Sequence, residues 1–559
     1  MRPGRPHRYV ETLKALLATG RIGRRQFLRE ATLLGLTAAA AYGVVEQLTG
    51  IGESQAGRSD LPRGGDLRIA MRVPDLSHPH LYSWVEPEIA RQVVPTLTKT
   101  GPDSITRPYL LESWEVSDDL RSWTLYLRKG LRWRKGNRLT AEQVAWNLKR
   151  VLDPALNSPV LALMAPYMLD LVDTGSVDQS GAPVMARGLW DANAIEVVDT
   201  YTVRLNTRIP QVAVPQHLQH GALAILDPAE GGVFGPGSNG LGAFELVEVE
   251  PGSHALLRAV GPHWSDTGPF LDTVKFVDLG DESDVSFAAL AERRIEGIYH
   301  VGFDDLEKLT GIGHVRIYET PSATTAVARM KVTEAPFNDV RVRQAMRLAI
   351  DCDRVRAAAL GGRGLTGEHH HVCPIQPDYA ELPKMERNVE AARALLAEAG
   401  FGDGLSCEIL VKDDGGWELA AIEEMRTQWK EAGIKVRVRK VPWSLYWELW
   451  NKVPFGFTNW AHDSLATINL GLAYRSDAAW NESGYANREF DRLLSLAEST
   501  LDLEARLPIM AEIEKLMQQD GPIVQPVWVP VFAAYDRRVK GFELYPSRAL
   551  FAEELAIES

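Results

Sequence analysis

Two short runs hold the residue types that could do chemistry. Trp460-Ala461-His462-Asp463 places an indole, an imidazole and a carboxylate within four positions. A carboxylate kept from bulk water makes a strong charge-assisted hydrogen bond to an ammonium group. The same aspartate on a surface would only cap a helix. The second run is Glu368-His369-His370-His371, with Cys373 two positions on. Its imidazoles suit a metal or a metal chelate, an organic ligand, or hydrogen bonds inside a polar loop. In a strand, His369 and His371 would share one face and His370 the other. A tight metal site needs further ligands at other spacings, so His369, His371 and Cys373 are a partial set. Arg475, next to Tyr474 and just past Asp463, could hold a carboxylate bidentately. Tyr82 and Trp84 lie in a loop, 74–84, that follows a predicted strand. In α/β sheets loops at strand ends face ligands.

No motif of catalysis accompanies these residues. There is no phosphate-binding loop with Gly-Lys-Ser/Thr, no His-Glu-x-x-His and no Gly-x-Ser-x-Gly elbow. The chain is therefore not expected to be an enzyme, and no cofactor is implied. The net charge of -13 on 559 residues disfavours nucleic-acid binding. Apolar content of 45 % and charged content of 24 % fit a folded chain of two to four domains. Three cysteines, Cys352, Cys373 and Cys407, are expected as free thiols.

The elements that must position the site are legible by period. Trp123, Leu125 and Leu127 alternate with polar neighbours, as in a half-buried strand. Thr140 and Gln143 form a capping box, and Val144, Leu148 and Val151 give the helix an apolar stripe. Asp339 is placed to cap a second helix whose buried face is Val342, Ala345, Met346, Ala349 and Ile350. Further helices are predicted from Asn388 to Phe401, ended by Gly400, from Trp417 to Gly433, and across 487–519. Ile434, Val436 and Val438 mark a strand, as does 523–531. Trp443, Tyr446, Trp447 and Trp450 form a helical stripe that reads as core.

The run strand, glycine turn, Leu139-Thr-Ala-Glu-Gln-Val144 resembles the signature of the family 5 solute-binding proteins of ABC importers. Pro108 to Asp119, Asp199 to Leu205, Gly240-Leu-Gly-Ala-Phe244 with His263-Trp264, and Pro336-Phe-Asn-Asp to Asp351 resemble further family elements, in the family's order. The chain departs at Leu241 and Ala243, where the family has threonine and proline; the two glycines keep a tight turn available. The resemblance spans about residues 65–546.

This resemblance implies an α/β fold: a two-lobed periplasmic binding protein (type II, cluster C) with an extra domain inserted in the first lobe. Lobe I would take 57–107, 226–325 and 528–559, the inserted domain 108–225, and lobe II 326–527. A ligand would sit between hinged lobes. In peptide-binding relatives an aspartate three residues after a tryptophan pairs with the peptide ammonium, and Asp463 aligns with it. The following Ser464-Leu-Ala-Thr467 departs from the relatives' Asn-Gly-Asp-Pro. The implied function is the substrate-binding component of an importer for a peptide or amino-bearing solute. Its implied partners are the ligand and the ABC permease subunits, and the mature form is a monomer outside the membrane. The alternatives are a nickel-type chelate receptor using His369–His371, and a secreted hydrolase on the same scaffold.

The N-terminus reads as a leader over 1–56. Arg24-Arg25-Gln-Phe-Leu resembles the twin-arginine export motif, an alanine-rich apolar run follows, and Ser54-Gln-Ala56 suits signal peptidase. The apolar run is short for a membrane span. Export to the periplasm, with cleavage after Ala56, is expected.

Overall fold

The computed structural model describes all residues except 1–6, 8, 37, 50–60, 84, 85, 178–182, 262, 266, 267, 414 and 559. The expected cleavage point at Ala56 and the candidate Trp84 therefore lie outside the described residues. The chain divides into two compact units: 1–300 with 308–318 and 533–559, and 301–307 with 319–532.

In the first unit a sheet runs in the order Phe244–Glu250, His254–Ala259, Thr273–Val277, Asp66–Ala70, Gly297–Ile298. Asp66–Ala70 lies parallel to its neighbour, with Leu67 opposite Val274 and Ile69 opposite Phe276. These side chains are wholly buried and form the core with Leu257 and Phe244. A separate four-stranded antiparallel sheet contains Leu111–Val116, Ser122–Leu127, Thr202–Asn206 and Ile195–Asp199. Its strand Ser122–Leu127 buries Trp123, Leu125 and Leu127, as the alternation required. The helix Ala141–Val151 begins on the expected capping box of Thr140 and Gln143, and buries Val144, Leu148 and Val151. Gly240 and Gly242 do a different job from the expected tight turn. Neither has a positive φ. A Cβ on them would stand 2.3 Å from Val93 O and 2.2 Å from Gln92 O, so glycine is needed for close backbone approach.

Residues of the expected leader form the helices Tyr9–Ala18, Arg24–Leu33 and Ala38–Thr49. Trp114 Nε1 donates to Leu33 O at 2.8 Å, and Arg25 donates to Asp103 O at 2.9 Å. Among the described residues no helix is long and apolar enough to cross a membrane.

In the second unit Val315–Met330, which enters at Glu319, pairs antiparallel with Phe455–Trp460, from Thr325 opposite Trp460 to Met330 opposite Phe455. Leu405–Lys412 lies beyond, parallel to Ile434–Val441. The helix Val340–Leu348 starts where the Asp339 side chain accepts from Arg341 N at 2.9 Å, and it buries Val342, Ala345 and Met346. Val389–Glu398 is capped by Asn388 and followed by Gly400 at φ +91°. With Gly416–Glu431 these helices cover the sheet around Ile409, Ile422, Met425, Trp429, Phe455 and Phe457. The aromatic helix Trp443–Leu449 is only partly core: Tyr446 is fully buried, whereas Trp443 is 55 % exposed. All three cysteines are free thiols.

Candidate functional site

The second unit gathers most of the singled-out residues around one strand end. Phe455–Trp460 runs between two neighbours and buries nearly every side chain, so its register is fixed by the core beneath it. The strand stops at Trp460. The chain then turns through His462 and Asp463 into the helix Ala466–Ala473. That helix has no side-chain cap of its own at Leu465. Asp378, from the loop after the histidine run, supplies it, accepting from Ala466 N at 3.1 Å and Thr467 N at 3.4 Å. Gln376 Nε2 donates to Asp463 O at 2.9 Å and ties the same loop to the turn. His462 Nδ1 accepts from Ala323 N at 3.0 Å.

Asp463 is half-buried, and desolvation pushes its carboxyl up to about 7. No arginine or lysine contributes to that shift. A carboxyl in this state is poised near neutrality, and a cation arriving beside it would favour the ionised form.

The histidine run is not a strand, and its three rings separate. His369 and His371 sit at φ +63° and +61°, left-handed positions that turn each ring a different way. His369 Nδ1 accepts from Gln525 N at 3.1 Å, and its Nε2 lies 3.6 Å from Cys352 Sγ. With Glu368 it lines a cavity of about 550 Å³ shared with Cys352, Asp353, Tyr379 and Lys384. His370 accepts from Val372 N at 3.2 Å, and its Nε2 stands 3.3 Å from Glu368 and 3.6 Å from Glu514. Glu514 is fully buried, and burial raises its carboxyl to about 9. His371 alone turns toward the strand end. Its Nδ1 meets Tyr474 OH at 2.6 Å, and its ring packs on Trp460 (5.6 Å), Tyr474 (5.6 Å) and Trp528 (5.9 Å).

These positions overturn the shared-face reading of His369 and His371. They also leave the metal-chelate alternative without a converging pair of imidazoles. Burial holds both imidazoles neutral, at about 3, but the rings do not converge. Cys373 is buried with its thiol on Ser322 O at 3.7 Å and pushed up to about 12. Among the described residues no group of three or more His, Cys, Asp or Glu is arranged to hold a metal ion.

Two other candidates are occupied within the fold. Arg475 pairs with Glu498 and donates to Ser495 Oγ at 3.0 Å, so its guanidinium is engaged. Tyr82, in the first unit, is buried and donates its hydroxyl to Leu76 O, closing its own loop. Sequence reasoning missed Trp528, Asp378, Gln376 and Glu514. Trp528 stood in a plainly apolar segment, and nothing in its spacing marked it.

The family model for bacterial extracellular solute-binding proteins, family 5, matches residues 106–482. This chain belongs to that family. Among similar family 5 proteins is the periplasmic oligopeptide-binding protein OppA of Haemophilus influenzae, 24 % identical over 501 residues, 84 % of this chain and 89 % of that protein. The ABC transporter substrate-binding protein CtaP of Listeria monocytogenes superposes with a TM-score of 0.74 at 20 % identity, covering 89 % of this chain and 99 % of that one. DppA from Helicobacter pylori, solved with the peptide STSA, gives 0.72 at 20 % identity and the same coverage. These likenesses show the α/β, two-lobed binding-protein fold. Members of family 5 are solute-binding receptors rather than enzymes.

Proposed function

We propose that this family 5 protein is the periplasmic receptor of an ABC importer for a peptide or peptide-like solute with a free amino group. The observation that carries the reading is Asp463. It stands three residues past the buried Trp460, at the end of a core strand, and its carboxyl is desolvated without a cation contributing to its titration. An ammonium placed there would gain a charge-assisted hydrogen bond of the stronger kind. The oligopeptide-binding relative named above supports the same solute class. We further propose export through the twin-arginine leader, removal of the leader after Ala56, an inserted domain over about 108–225, and a monomer that delivers its solute to the permease.

A thermal-shift panel of di- to pentapeptides, sugars and nickel chelates tests the solute class. Ligand at 100 times its dissociation constant adds about 2.7 kcal/mol of stability, so a true ligand gives a clear shift. A response to sugars alone, or to nickel chelates alone, refutes the reading.

A further inference from the structure

The expected leader is folded, and it is fitted to the protein that it precedes. Isolated helices shorter than about 12–15 residues are marginal in water, so the three at Tyr9–Ala18, Arg24–Leu33 and Ala38–Thr49 depend on packing. Val10, Leu13, Phe27, Ala31 and Ala41 are wholly buried. The helix Arg24–Leu33 lies against the strand Thr106–Pro108.

Three contacts fix the leader on the folded surface. Trp114 is 1 % exposed, and its indole N–H, which can only donate, gives its proton to Leu33 O at 2.8 Å. Arg107, held by Asp103 at 2.6 Å, donates to Tyr42 OH at 2.8 Å. Gly35 stands at φ +88°, and a Cβ there would lie 2.1 Å from Trp114 O. The turn after Leu33 therefore reaches the strand Leu111–Val116 only with glycine at 35. The export motif lies inside this contact. Arg25 donates to Asp103 O at 2.9 Å. Phe27 and Leu28, the apolar half of the motif, are 0 % and 6 % exposed. A receptor that reads Arg24-Arg25-Gln-Phe-Leu needs those side chains free.

Resting on the export reading above, we infer that the leader masks its own signal. In the folded precursor its helices dock on the surface of Asp103, Arg107 and Trp114, and an export receptor binds only after they lift away. The contact is autoinhibitory because the docked leader and the receptor compete for the same residues. A leader docked about 99 times in 100 weakens the receptor's apparent affinity roughly a hundredfold.

The test uses the full-length precursor. Gly35→Val drives a side chain against Trp114 O and alters the leader alone. Arg107→Ala removes the anchor of Tyr42 and alters the folded domain alone. Limited trypsin digestion reads the population of the open form: the wild-type leader is cut slowly between Arg24 and Arg29, and both variants are cut roughly tenfold faster. In pulse-labelled cells both variants reach the periplasm sooner than the wild type. Circular dichroism checks that the rest of the chain is unchanged; if Arg107→Ala loosens it, Gly35→Val decides. Equal digestion of variant and wild-type leaders overturns the docking. Faster digestion with unchanged or slower export overturns the masking. Either result leaves the export reading standing. Undiminished export after Arg24 and Arg25 are replaced by lysine in the Gly35→Val background overturns the export reading and this inference with it.

Discussion

Binding should depend on pH through Asp463, and the structure sets both sign and midpoint. The free carboxyl titrates at about 7 because it is desolvated. An ammonium beside it stabilises only the ionised form, so in the complex the pKa drops well below that value. Below pH 7 the free protein must therefore release a proton to bind. Affinity is greatest between about pH 7 and 8, declines above that as the peptide's own α-amino group (ordinarily about 7.7–8.0) loses its proton, and falls by about tenfold per unit below 7, reaching roughly a hundredfold at pH 5, or about 2.7 kcal/mol. Calorimetry at pH 6, in buffers of different ionisation enthalpy, should count close to one proton released per peptide bound. Asp463→Asn should abolish both the release and the slope, and should cost about 3–5 kcal/mol at pH 8, the penalty for stripping one partner from a buried charge pair. An affinity that stays level from pH 5 to 8, without proton release, refutes the assignment of Asp463 as the ammonium partner.

Three further outcomes are expected. Glu514 keeps its proton up to about 9 in the folded state, whereas the unfolded chain loses it near 4.5, so this group's support for the fold is complete below 4.5 and drains away as pH rises toward 9. Glu514→Gln should therefore raise the melting temperature at pH 8 and change it little at pH 4; a pH-independent effect contradicts the assignment. Glu482 is buried against Arg329 at 3.2 Å and accepts from Thr458 Oγ1 at 2.6 Å. Glu482→Gln leaves the arginine buried without its anion and should cost about 3–5 kcal/mol in urea unfolding, with a loss below about 1 kcal/mol speaking against it. Replacing Arg24 and Arg25 by lysine should strand the precursor in the cytoplasm, and an undiminished periplasmic yield by fractionation and immunoblot would dismiss the export reading.

Periodic features were readable in advance because their cause is local. The strand at Trp123–Leu127, the capping box at Thr140 and Gln143, and the Asp339 cap each depend on residues within a few positions, so spacing alone fixes them. Asp463 was singled out differently, by the resemblance of the run Trp460 to Asp463 to the peptide-binding relatives and not by period. The histidine run was not legible. Its strand reading assumed a period of two, but left-handed backbone at His369 and His371 sends the rings to Cys352 and to Tyr474. Those partners lie 17 and 103 residues away in sequence. Gly240 and Gly242 signalled a backbone constraint, yet only packing against Gln92 and Val93 shows it to be close approach rather than a turn. Trp528 and Asp378 had no signal, since their roles come from the sheet bringing 528 beside 371 and the loop bringing 378 under the helix at 466. The sequence by itself determined the local elements and the family, and its resemblance to relatives nominated the carboxylate of Asp463. The tertiary structure decided which imidazole reaches that carboxylate's surroundings and which are consumed elsewhere, because desolvation and hydrogen-bond partners are properties of packing between distant segments.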